Sequence, residues 1–172
     1  DLRADQVISS KQQIFARWSW KALPSTGVNT LLPSSQFDEL NRNLVISYNY
    51  ALTPSLLNEF RFGLSLWRDS EVFPIKGTAA VEGLGITGLN LSAHPESGAF
   101  PTFNFSDGTG FTTIGREKDG TTQSTTYQYV DNLSWVKGRH TMKFGFDARR
   151  LEYRSVEHFP PEDDFGQFTF NQ

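Results

Sequence analysis

The residues with the strongest claim to chemistry lie in the connecting segments. Gly83-Leu84-Gly85-Ile86-Thr87-Gly88 has the spacing G-x-G-x-x-G, which in a dinucleotide fold turns backbone amides and a helix N-terminus toward a pyrophosphate. Here Leu89 to Ser92 runs into Ala93-His94-Pro95, so no helix is expected to follow, the glycines read as loop punctuation, and no cofactor is expected. His158 stands with Glu157, Glu162, Asp163 and Asp164, and closely spaced carboxylates suit a hard cation such as calcium. The plainer reading, a solvated acidic loop beside Pro160 and Pro161, is preferred, and no metal is expected. His140, in the turn Lys137-Gly138-Arg139-His140, reads as part of a basic turn facing headgroups or water rather than as a general base. His94 stands alone, and Asp107-Gly108-Thr109-Gly110 reads as a turn before it reads as a calcium loop. No arrangement of Ser, His and Asp supports a nucleophilic triad. The absence of cysteine removes a thiol nucleophile, a disulfide framework and a cysteine-ligated metal. The chain is expected not to be an enzyme.

The elements that would have to position such residues are strands. Of 172 residues, 15 are Phe, 5 Tyr and 4 Trp, and 16 Lys+Arg stand against 19 Asp+Glu for a net charge of −3. No basic stripe invites nucleic acid. No apolar run approaches the roughly 18 to 20 residues of a transmembrane helix. Period-2 alternation dominates instead, in segments of about ten residues. Gln13 to Ala22 sets Ile14, Ala16, Trp18, Trp20 and Ala22 against Gln13, Phe15, Arg17, Ser19 and Lys21, and Leu2 to Ile8 is its expected partner. Asn43 to Leu52 separates Leu44, Ile46, Tyr48, Tyr50 and Leu52 from Asn43, Val45, Ser47, Asn49 and Ala51. Leu56 to Arg68 puts Phe60, Phe62, Leu64 and Leu66 opposite Glu59, Arg61, Gly63, Ser65 and Trp67.

Thr125 to Val136 and Thr141 to Glu152 form a further hairpin, with Met142, Phe144, Phe146 and Ala148 opposed to Lys143, Gly145, Asp147 and Arg149. Asp131 falls in the parity of Tyr127, Tyr129, Leu133 and Trp135, and a bulge near Val130 to Asn132 is the expected way to re-aim it. Phe165 to Phe170 is expected to begin another strand. The chain opens at Asp1 and closes at Gln172, and reads as a piece cut from something longer.

Connection lengths alternate. The turns at 9–12, 53–55 and 137–140 are short, whereas 23–42, 69–124 and 153–164 are long and rich in Gly, Pro, Ser, Thr and Asp. In a meander this places every short turn on one side and every long loop on the other. Strands of about 9 to 13 residues sorted in this way are the pattern of an outer-membrane β-barrel, with short periplasmic turns and long extracellular loops. The expected fold is therefore all-β, an antiparallel up-and-down meander spanning 1–172. It supplies about seven strands of a larger transmembrane barrel in the bacterial outer membrane.

On this reading Ile14, Trp18, Trp20, Leu44, Ile46, Tyr48, Tyr50, Phe60, Phe62, Leu64, Leu66, Met142, Phe144 and Phe146 face outer-membrane lipid, with Trp and Tyr near the headgroups. Arg17, Glu59, Arg61, Lys143, Asp147 and Arg149 face a hydrated lumen, where they pair with one another or contact plug or substrate. The mean hydropathy of −0.43 fits, because only alternate strand residues meet lipid. The alternative is a soluble extracellular β-sandwich that binds carbohydrate through exposed Trp and Tyr. In the 69–124 loop, Phe100, Phe103, Phe105 and Phe111 would either grip a substrate or fold the loop upon itself.

The order of several motifs resembles a known family. Gln6-Val7-Ile8-Ser9-Ser10-Lys11 leads into Phe15-Ala16-Arg17-Trp18-Ser19. Leu52-Thr53-Pro54-Ser55-Leu56-Leu57-Asn58-Glu59-Phe60-Arg61 follows, then Leu84-Gly85-Ile86-Thr87-Gly88-Leu89 and Phe100-Pro101-Thr102-Phe103-Asn104-Phe105-Ser106. Tyr127-Gln128-Tyr129-Val130-Asp131-Asn132-Leu133-Ser134-Trp135, continuing to Lys143-Phe144-Gly145, closes the series. Together these are similar to successive hairpins of TonB-dependent outer-membrane receptors of the Oar-like branch. The resemblance implies a 22-stranded barrel with its own plug domain. It also implies energy passed from TonB, ExbB and ExbD, and uptake of a substrate that these residues do not identify. The plug and the TonB-contacting segment are not in this sequence.

Overall fold

A computed structural model describes residues 1–28, 34–74, 79–88, 100–106, 110–115, 119–157 and 167–171. The strands are β1 (Leu2–Ser9), β2 (Gln12–Gly27), β3 (Ser35–Thr53), β4 (Leu56–Val72), β5 (Thr102–Phe105), β6 (Gly120–Lys137), β7 (His140–Glu157) and β8 (Gln167–Phe170), with one short helix, α1 (Ala79–Gly83). Six strands form one sheet in the order β1-β2-β3-β4-β6-β7, a meander interrupted only by the insertion between β4 and β6. β1 and β2 are antiparallel, with Leu2 opposite Trp18, Ala4 opposite Ala16 and Gln6 opposite Ile14.

Local chemistry explains the tight turns. At Ser10-Lys11 the Ser9 hydroxyl accepts the Lys11 amide at 3.2 Å, and at Pro54-Ser55 the Thr53 hydroxyl accepts the Ser55 amide at 3.3 Å. Gly138 opens the third turn with φ 59, the left-handed conformation that two-residue hairpin turns require at this position.

The strands outrun the sequence pattern. β2, β3, β4, β6 and β7 are 16, 19, 17, 18 and 18 residues long, against the roughly 9 to 11 that a tilted crossing needs. The loops expected at 23–42, 69–124 and 153–164 are therefore shorter: 23–27, 35–42, 69–72, 120–124 and 153–157 belong to strands. Alternation signals a strand only while its two sides differ in polarity. Beyond the apolar stretch the few apolar residues, such as Phe37 and Leu40 or Tyr153 and Val156, fall on both parities, and the ladder continues without the signal. A second correction concerns the last strand. β8 stays out of the six-stranded sheet and pairs in parallel with β5, Phe103 opposite Phe168 and Phe105 opposite Phe170.

Two compact units are distinguished. The first comprises Asp1–Ala22, Leu40–Arg68 and Gln123–Arg154. Among its described residues the buried positions are small and polar, Ser47 (2% exposed) and Thr125. The second comprises Leu23–Glu39, Asp69–Thr122 and Ser155–Gln172. Its buried residues include Phe73 (0%), Val81 (2%) and Pro101. The Phe73 amide donates to the Asp119 carboxylate, which meets a buried backbone donor that no ladder reaches. Gly115, at φ 107, lies so close to the Pro101 carbonyl that any side chain would collide with it. Phe103 exchanges both backbone hydrogen bonds with Ile114, at 2.8 and 3.0 Å, so the Ile114 segment, β5 and β8 make a small three-stranded patch.

Candidate functional site

Within the first unit, contacts fix which residues share a side. The Phe62 and Tyr129 rings lie 5.2 Å apart, and Asn58 donates to Asp131 at 2.7 Å. Both contacts join the even positions of β4 to the odd positions of β6. On the other side, a Cβ at Gly63 would meet Gln128 at 3.7 Å and one at Gly145 would meet Asn132 at 2.5 Å. Alternation from Gln128 to Asn132 is thus unbroken. The expected bulge is absent, and Asp131 remains on the Tyr129 side, where the Asn58 amide supplies its partner.

The first side carries Ile14, Trp18 and Trp20 of β2, Leu44, Ile46, Tyr48 and Tyr50 of β3, Phe60, Phe62, Leu64 and Leu66 of β4, and Met142, Phe144 and Phe146 of β7. Its large side chains are not withdrawn from solvent: Trp20 is 61% exposed and Phe144 and Phe146 are each 56% exposed. Tyr48 and Tyr50 lie with ring centroids 6.2 Å apart. Toward the long-loop end this apolar stretch stops at an arginine of the same parity on three strands: Arg42 on β3, Arg68 on β4 and Arg150 on β7. Arg150 binds Glu152 at 2.7 Å.

The second side is polar and charged. Arg17, opposite Arg3 in the β1–β2 register, binds Asp1 at 3.0 Å. Arg3 binds Asp5 at 2.7 Å and lies over the Phe15 ring, 4.6 Å from its centroid. On β7, Asp147 holds Arg149 at 3.0 Å and accepts Gln128 at 2.9 Å. Glu59 lines a hollow of about 280 Å³ with Lys11, Gln13 and Asn49. A neighbouring hollow of about 340 Å³ lies among Arg3, Asp5, Gln13, Phe15 and Asn49. Asn49 Oδ1 is buried there without a hydrogen-bond partner. The expected charged residues are therefore not one cluster: the Arg17 pair and the Asp147 pair sit on β2 and β7, far apart in the strand order. Such exposed pairs add little stability; they keep a wall wet. Sequence reasoning missed the Arg3–Asp5–Phe15 group and the Asn58–Asp131 pair, although the shared parity of Arg3, Asp5 and Arg17 was a usable sign of the first.

The glycine motif is the end of a helix. The Ile86 and Gly85 amides donate to the Val81 and Glu82 carbonyls at 3.0 and 2.9 Å, with Gly85 at φ 71. This is a Schellman cap, so two of its amides serve α1, and the helix end beside it is the carbonyl end. Among the described residues no group of His, Cys, Asp and Glu could hold a metal. His94, Asp107 and the His158–Asp164 stretch lie outside the described residues. In the second unit Phe103 stacks on Phe168 and Phe105 on Phe170, each at 5.3 Å, and Phe105 meets Phe111 at 5.7 Å. Three of the four expected loop aromatics thus fold this region upon itself.

An antiparallel meander with one apolar side and one charged side, tight turns at one end and long excursions at the other, is the architecture of a barrel that crosses a bilayer. The chain belongs to the outer membrane beta barrel domain family, whose model matches residues 1–172. It is an outer-membrane protein, and this sets aside the soluble β-sandwich. No match was found among curated proteins or among solved structures.

Proposed function

We propose that this chain is barrel wall from a TonB-dependent receptor of the Oar-like branch, taking part in energised uptake of a substrate across the outer membrane. The observation that carries the reading is the contrast between the two ends of the meander. Two-residue turns close one end, while the β4–β6 insertion at the other folds around its own buried Phe73 and Val81. A loop with a core of its own suits capture of a ligand, where a simple pore needs only short connections. The ordered hairpin motifs from Gln6 to Gly145 support the same assignment. The apolar side meets lipid. The charged side faces the receptor's own plug domain, and the wall's role is conformational, with no covalent chemistry.

The full-length parent in a planar bilayer tests this, together with capture by the periplasmic domain of TonB. A closed barrel that binds the TonB domain is expected. A permanently open conductance with no TonB binding would refute it.

A further inference from the structure

The three arginines that end the apolar stretch share more than parity. The Ala51 amide donates to the Lys11 carbonyl at 2.8 Å, and counting along β2 and β3 from that bond puts Arg42 across from Trp20. The same alignment explains why a Cβ at Gly27 would meet the Ser35 hydroxyl at 2.8 Å. On β6 and β7, the Gly145–Asn132 approach and the 3.3 Å Thr122–Ser155 hydroxyl contact obey one register, which puts Arg150 across from Tyr127. Arg68 follows Leu66 on β4, and the register holds past it, because Ser70 meets Thr121 at 3.1 Å.

In each case the first charge beyond the aliphatic and aromatic band is a guanidinium, at the long-loop edge and exposed. Two of the three sit opposite an aromatic whose ring and polar handle favour the headgroup level. A guanidinium presents a planar fork of donors that matches phosphate oxygens in pairs. A carboxylate at these positions would be repelled by the same groups.

We infer that Arg42, Arg68 and Arg150 form a phosphate-binding rim for phosphorylated lipid headgroups of the outer leaflet. Arg42 and Arg68, on neighbouring strands, carry most of it, since Arg150 already shares its charge with Glu152. The inference rests on the lipid-facing assignment of the apolar side. It goes beyond the uptake role, because it gives the barrel a lipid ligand at a stated height.

The test uses the purified full-length parent in phosphatidylcholine vesicles, with lipid A carrying both phosphates or none as the probe. The phosphorylated form is expected to co-purify with the wild type. The double variant Arg42→Gln/Arg68→Gln should lose about tenfold or more in affinity, the scale of two charge-assisted hydrogen bonds, while Arg17→Gln on the charged side should retain it. Equal retention of both lipid A forms by all variants would overturn the rim. Loss confined to Arg17→Gln would instead overturn the assignment of sides. Equal arginine-dependent binding of inorganic phosphate alone would overturn the lipid source.

Discussion

The two units solve burial in opposite ways. The insertion unit buries large apolar side chains, Phe73 and Val81, with the Asp119 carboxylate beside them on the Phe73 amide, as a domain in water does. The sheet unit buries Ser47 and Thr125 and leaves Trp20, Phe144 and Phe146 outward. The same alphabet is used in both, and on the lipid-facing assignment proposed above the difference lies in the solvent each meets. Where lipid is the solvent, large apolar side chains need no protein partner; of the two buried small residues, Ser47 shares the charged side and Thr125 the side of Tyr127 and Tyr129. Where water is the solvent, a long excursion must assemble a core, and this one does so with a cap at Gly85, a carboxylate on the Phe73 amide and stacked phenylalanines.

Three substitutions sharpen the contrast. Phe73→Ala empties the insertion's core and should cost about 3–5 kcal/mol there. Hydrogen exchange in the intact parent should show the amides of 79–88 opening while those of β3 and β4 stay protected, and loss of protection throughout would mean that the two regions are not separately stabilised. Phe62→Arg puts a charge in the apolar band at about 2–4 kcal/mol, read as a lower urea midpoint and less assembled protein, whereas Ser65→Arg should be tolerated. Gly145 makes a poorer control than its parity suggests, because Asn132 occupies the space that any side chain there would need.

The smallest effect concerns Asp131, the carboxylate that shares the side of Tyr127 and Tyr129. Asn58→Leu strips Asp131 of its donor and should cost about 1–3 kcal/mol. Adding Asp131→Leu should return most of that loss, and purely additive costs in this double-mutant cycle would show that the pair is not coupled. The pair has a further use. β4 and β6 are joined by the long insertion, so no tight turn sets their register, and a slip by two residues would keep every apolar residue on its side. The Asn58–Asp131 bond, across 73 positions of sequence, penalises that slip.

The meander was readable because one contrast, an apolar side against a polar side, stamps period 2 on Ile14 to Trp20, Leu44 to Leu52, Phe60 to Leu66 and Met142 to Ala148. The same dependence explains the misplaced boundaries. At Leu23 to Gly27 and Ser35 to Asn41 the strand continues with no contrast to betray it. In the sequence Asp131 looks like a fault needing a bulge, because parity reports a residue's side and not its cross-strand neighbour, here Asn58. The pairing of β8 with β5 was hidden for another reason. Phe168 and Phe170 alternate like any strand, and only the distant Phe103 and Phe105 reveal which sheet they join. The charged wall was legible as residue types, but its pairings depend on register, so Arg17 finds Asp1 and Asp147 finds Gln128.

Residues 1–172 contain no cysteine, so single cysteines introduced among them report directly on the central claim, that the Phe62 side meets lipid and the Ser65 side meets water. Single cysteines placed at 62 and 65 in the full-length parent, labelled with a small fluorophore and reconstituted in vesicles, would be exposed in turn to brominated lipid and to aqueous iodide. The account predicts quenching of the label at 62 by the lipid and at 65 by iodide. The reverse pattern, or equal quenching of both positions by iodide, would contradict it.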